Sequence, residues 1–261
     1  MKNWWIRLGA VFFGGLAIWL AVGAVVTALV GEGYSFPGHV MRAVSIFVLV
    51  GVMLVIVFRL EKPVPEHYGF RPRPGWFGIG ALAYALPFAI AGLLIAGLGA
   101  ASLTVTSGVG ELVAKAALVL VLVLLYEAIP EELIFRGYLF TVLRERLPAW
   151  LTVIAQAALF CLFGLLIGAA VDPTRLLLFA LFSLTLGVIR SLSGTVFATI
   201  GFHATFQLIT QLSTTTWGVI EIVDPELWFR DVAFVLAPFI LGIVIVAVAA
   251  RMARRRALSA A

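Results

Sequence analysis

The sequence predicts an all-α polytopic membrane protein of about eight transmembrane helices with both termini cytoplasmic, and three observations carry that expectation. Of its 261 residues, 63% are hydrophobic and only 12% charged, at a mean hydropathy of +1.14. A chain of that composition cannot cover a water-facing surface. A helix crosses the hydrocarbon layer with roughly 20 mostly apolar residues, and the chain offers eight such runs. Its basic residues also sort onto one side of the resulting serpentine.

The runs lie at about 8 to 30, 40 to 58, 76 to 98, 112 to 135, 150 to 171, 176 to 190, 194 to 212 and 232 to 250. The first is longer than the apolar region of a cleaved leader and lacks a small-residue cleavage site, so it reads as a retained helix. Pro130 lies inside the fourth and predicts a kink just before Glu131. The sixth is short, and the turn Arg190-Ser-Leu-Ser193-Gly194 after it predicts a tight helix pair. Trp4, Trp5, Trp76, Trp150 and Trp228 fall near span ends, where their amphipathic rings act as interfacial anchors. Gly164 and Gly168 form a small-x-x-x-small pattern for close helix approach. The longest loops, 59 to 75 and 213 to 231, hold no extramembrane domain, so residues 1–261 read as a single integral-membrane domain. Function is therefore expected in the membrane or at its surface.

With the N-terminus inside, fourteen of the eighteen lysines and arginines fall on the cytoplasmic side. Arg136 and Arg190 are among those fourteen, as are Lys2 and Lys62. Arg42, Lys115, Arg175 and Arg230 fall opposite, beside an acidic last loop that carries Glu221, Asp224, Glu226 and Asp231. The net charge of +5 and pI near 9.8 thus report topology and exclude a nucleic-acid partner. The tail arginines Arg251, Arg254, Arg255 and Arg256 read as a topology stop in contact with anionic lipid. Cys161, the single cysteine, forms no intramolecular disulfide and reads as a small core residue.

Charge inside an apolar helix marks function by default, because it costs a few kcal/mol to place there. The run Glu127-Ala-Ile-Pro-Glu131-Glu132-Leu-Ile-Phe-Arg136-Gly-Tyr138 is therefore the most informative in the chain. On a helix, Glu127 and Glu131 share one face, while Glu132 and Arg136 repeat the spacing on a neighbouring one. Acid before base at that spacing suits a neutralising bridge, so Glu132 is expected to hold Arg136 and leave Glu131 free for acid–base work on water. His203 lies about nine residues into the seventh span, with Gln207 one turn later on the same face.

These elements resemble the CAAX protease and bacteriocin-processing family of intramembrane metalloproteases, over about residues 110 to 212. The resemblance rests on Glu131-Glu132-x-x-x-Arg136, on the tail Phe135-Arg136-Gly137-Tyr138-Leu139-Phe140, on Leu186-Gly187-Val188-Ile189-Arg190 with Ser193-Gly194-Thr195, and on His203. It implies Glu131 as the general base, Glu132 and Arg136 as its supporting pair, and His203 as a ligand to zinc. Two positions depart from the family. Ile167 stands where the family has its first metal-binding histidine, and Gln207 stands where asparagine or aspartate is expected. Glutamine keeps an amide oxygen; isoleucine donates nothing. A catalytic zinc usually takes three protein ligands, and of the other histidines His67, not His39, is placed near the cytoplasmic mouth.

Three functions follow as expectations. The chain is an intramembrane metalloendopeptidase acting on membrane-associated or prenylated peptides, its metal held by His203, Gln207 and one or more of Glu127, Glu131 and Glu132, with Glu127 the secondary candidate. Alternatively it is a catalytically inactive pseudoprotease, a membrane scaffold or immunity factor that binds a transmembrane or lipidated peptide. The third reading is a proton or ion pathway through Glu127, Glu131, Glu132 and His203. All three place the protein among membrane lipid, in a bacterial-type cytoplasmic membrane, with the site opening toward the cytoplasm.

Overall fold

A computed structural model describes residues 3–31, 35–61, 65–213, 217–224 and 227–259. Lys2, Lys62 and Glu226, which enter the topology reading, lie outside the described residues. Among the described residues eight long helices build the bundle: α1 (Trp4–Val30), α2 (Phe36–Glu61), α3 (Pro74–Gly97), α4 (Val109–Arg144), α5 (Ala149–Leu166), α6 (Pro173–Ser193), α7 (Val196–Leu212) and α8 (Phe229–Ser259). Seven are long and apolar enough to cross a membrane, and α7, with 17 residues, is the short one. The sequence assigned that place to the sixth span. It misread α6, 21 residues long, because Arg190 looks like a loop residue. Arg190 is instead 6% exposed, its Nε donating to the Arg136 carbonyl at 2.9 Å.

The fourth span also runs further than expected, through Arg136 to Arg144. Arg136 is fully buried and belongs to the bundle interior, so neither it nor Arg190 counts as a loop charge. Within α4 the hydrogen-bond register widens twice to π-helix, at Leu124–Ala128 and at Leu133–Leu139, on either side of a four-residue α-turn, Ile129–Glu132. Proline has no N–H to give to the carbonyl four residues back, and the first wide turn ends just before Pro130. The kink expected there takes the form of a register change. Such π-turns inside α-helices concentrate at functional sites.

Packing places α7 at the centre. Helix α3 lies most extensively against α7, α8 packs on α3 and α6, and α5 pairs with α6. The α3–α7 approach depends on two glycines: a Cβ on Gly80 would run into the Ala198 carbonyl, and one on Gly201 into the Phe77 carbonyl. Gly164 serves the close approach the sequence suggested, since a Cβ there would sit 2.5 Å from the Phe179 ring. Gly168 does not. It holds φ +73° in the turn after α5 with open space around it, so it is a turn glycine.

Helix α7 starts where Gly194, at φ 70°, reverses the chain. Thr195 then caps the helix by accepting from Phe197 N. Thr195 Oγ1 and Val196 N both donate to the Gly69 carbonyl, at 3.2 Å each, which ties the start of α7 to the loop after α2. At the other end of the bundle Ser102–Val105 pairs antiparallel with Ile220–Val223. This two-stranded ribbon was not anticipated by the sequence reading.

Candidate active site

One carboxylate of the motif is tied and the other is free, and the tie draws on four helices. Glu132 on α4 accepts from Arg136 Nη1 at 3.1 Å, one turn later. The same oxygen, Oε1, lies 3.0 Å from His203 Nδ1 on α7. Arg136 Nη2 donates to Ser183 Oγ on α6 at 2.9 Å, and Ser183 is gripped in turn by Gln156 Nε2 from α5. The guanidinium also sits 4.5 Å from the Phe160 ring centroid, a cation–π contact. Glu132, Arg136, Ser183 and Gln156 are all fully buried. A charge pair so enclosed is retained because losing either member strands the other, at about 3–5 kcal/mol.

The arrangement fixes the imidazole. With Nδ1 held by a carboxylate, the ring's tautomer and orientation are set and Nε2 becomes the nitrogen available on the far side, as a carboxylate does for a working histidine. The Phe182 ring braces His203 edge-on, with centroids 4.8 Å apart.

Glu131 is different. At 9% exposed it lines a cavity of about 390 Å³ together with Glu127, His203, Gln207 and Ile167. Thus Glu127, Glu131, His203 and Gln207, which the sequence placed on common helix faces, converge on one space, and Ile167 shares it. Glu132 and Arg136 stand behind the wall. The rest of the lining is largely aromatic, including Trp19, Phe160, Phe163 and Phe179. Glu127 Oε2 is buried with no protein partner.

His39 on α2 also lines this cavity, with Trp217 beside it at 5.4 Å between ring centroids. His67 borders a separate surface hollow with Phe140, Thr141 and Arg144. The sequence reading chose between the two by predicted membrane side, and the structure reverses the choice. His39, Arg175 and Trp217 sit at the bundle end opposite Arg7, Glu61 and Gly69. Tyr126, one residue before Glu127, is a further lining residue the sequence reading passed over.

Among the described residues no three His, Cys, Asp or Glu side chains converge closely enough to hold a metal ion, and the family's ligand position is filled by the hydrocarbon of Ile167. What the cavity can do is acid–base chemistry: the unbridged carboxylates of Glu127 and Glu131, the oriented imidazole of His203 and the amide of Gln207 face a common volume walled by aromatic rings.

Comparison with known proteins agrees with the motifs. Residues 113–209 match the family model Rce1-like, described as type II CAAX prenyl endopeptidase Rce1-like. No curated protein and no solved structure matches the chain. The matched segment contains the Glu127–Arg136 cluster, Ile167, His203 and Gln207, and it supports recognition of this chain as an integral-membrane protein of the CAAX protease family.

Proposed function

We propose that the protein is a glutamate-centred intramembrane endopeptidase acting on peptides that are membrane-associated through a lipid or a transmembrane helix. The observation that carries the reading is the division of labour in the motif: Glu131 faces the cavity unbridged, while Glu132 is spent on Arg136 and His203. Glu131 takes a proton from a water that His203 Nε2 orients. The water oxygen bonds to the scissile carbonyl carbon, and the Gln207 amide N–H donates to the oxyanion. Collapse breaks the C–N bond, and Glu131 returns its proton to the leaving amine. The aromatic walls exclude bulk water from the reacting groups.

A fluorescence-quenched prenylated peptide, presented in proteoliposomes, tests this. Cleavage by the wild type that survives chelation and disappears in Glu131→Gln is the expected result. Cleavage appearing only on zinc addition assigns the chemistry to a metal-loaded form.

One observation favours a second reading, a pseudoprotease that binds such peptides without cutting them: Ile167 puts hydrocarbon at the family's ligand position, inside the cavity. If the wild type cleaves nothing with or without zinc, and Glu131→Gln keeps the cellular phenotype, the scaffold reading replaces the first.

Residence in a bacterial-type cytoplasmic membrane is part of the same proposal. The side of the mouth is open to test in a Cys161→Ala background. A cysteine at Trp217 and one at Glu145 should label from opposite faces with an impermeant maleimide, and the face that labels Trp217→Cys is the one the mouth opens to.

A further inference from the structure

Two of the four basic residues left on the sparse side by the charge tally, Arg42 and Arg175, come together in space. They line a slot of about 620 Å³ between α1, α2 and the α5–α6 turn. Arg42 lies six residues inside α2, about 9 Å along its axis, and Arg175 lies in the first turn of α6. Arg42 Nη2 donates to Thr27 Oγ1 at 3.0 Å, while its Nε is buried with no protein partner. Neither arginine forms an ion pair among the described residues.

The slot is not isolated. Tyr126, Ile167 and Arg175 line both it and the Glu131 cavity. Its outer side is apolar and open: Leu20 on α1 is 49% exposed and Val171 is 75% exposed. An occupant must therefore bring negative charge to two guanidinium groups at the depth of the headgroups, and hydrocarbon to the flank.

We propose that this slot binds the phosphate of an anionic phospholipid, whose acyl chains run down α1 past Leu20 and whose headgroup forms a removable wall of the Glu131 cavity. A phosphate diester matches two guanidinium forks. A headgroup fits the volume, and the apolar flank suits chains that stay in the bilayer. The inference does not depend on whether Glu131 turns over peptide.

Native mass spectrometry of protein purified in mild detergent, paired with thermal-shift titration of phosphatidylglycerol, phosphatidylcholine and inorganic phosphate, tests it. Wild type should retain phospholipid and be stabilised more by phosphatidylglycerol than by phosphatidylcholine. The Arg42→Gln/Arg175→Gln variant should retain at least about tenfold less, as loss of two basic contacts predicts. Lys115→Gln should behave as wild type. If the double variant fails to fold, Arg175→Gln alone and the slot-filling Ala24→Phe, which keeps both charges, must each lower retention. Equal retention in these variants overturns the proposal. So does an equal shift with inorganic phosphate, which marks a free-anion site. Displacement by a peptide with a free C-terminal carboxylate, but not by its amide, assigns the slot to peptide instead and also overturns it.

Discussion

The two ends of the bundle treat buried polarity in opposite ways. At the end where α1 begins, Arg7 donates to Glu61 at 3.1 Å, to both Glu145 oxygens at 2.8 and 2.7 Å, and to the Tyr68 hydroxyl at 3.0 Å. Tyr138, two residues beyond Arg136, completes the set by donating to Glu61 at 2.6 Å. At the other end Glu127 Oε2, His39 Nδ1, Arg42 Nε and Thr210 Oγ1 are all buried without a protein partner. Native interiors pair nearly all such groups. The first end is a clamp joining α1, α2, α4 and the intervening loop. The second leaves polar atoms free for something the chain does not itself supply, the stability forgone that functional sites characteristically show.

The contrast is breakable, and the largest effect should come from the free carboxylate. Glu131→Gln is expected to lower peptide hydrolysis by about 10²–10⁴-fold while leaving the melting temperature within a few degrees of wild type; a large loss of stability would move Glu131 into the structural class. Glu132→Ala strands both Arg136 and His203. It should destabilise by about 3–5 kcal/mol, seen in thermal unfolding in detergent, and an unchanged melting point would mean that the buried triad holds nothing together. Arg7→Ala removes charged hydrogen bonds from a partly exposed site and should cost about 1.5–3 kcal/mol, with unfolding again the readout and activity affected only in proportion to folded protein. The smallest change belongs to the cavity end. Glu127→Gln swaps a carboxylate whose Oε2 is buried without a protein partner for an amide and should shift stability by less than about 0.5 kcal/mol, or raise it. A drop as large as that of Arg7→Ala would erase the distinction between the ends.

Much of this was legible in the sequence because it is local. Hydropathy and length locate the helices, and the four-residue spacing predicts the Glu132–Arg136 bridge that the structure contains. What escaped depends on partners far along the chain. Arg190 reads as a loop charge until the Arg136 carbonyl is seen to accept from it. The fourth span reads as ending just before Arg136 until Glu132 and Ser183 are there to satisfy that charge. The ribbon joins two four-residue strands from opposite halves of the chain, too short to announce themselves by alternation. His39 belongs to the cavity only because the cavity runs toward the end away from Arg7, a direction that no periodicity encodes.

The two wide turns of α4 have one more consequence. Successive residues of an ordinary helix advance by about 100° around its axis, and a π-turn, whose hydrogen bonds close over five residues instead of four, absorbs one extra residue so that everything beyond it keeps its angular phase. Leu124–Ala128 lies just upstream of the glutamate pair. Removing the extra residue from that turn would restore ordinary winding with Glu131 and Glu132 still on their present face, so the wide turn is what keeps the base toward its space against a residue count that would otherwise rotate it by about 100°. A single-residue deletion there that spares Glu127 should therefore leave far more activity than replacing Glu131 itself.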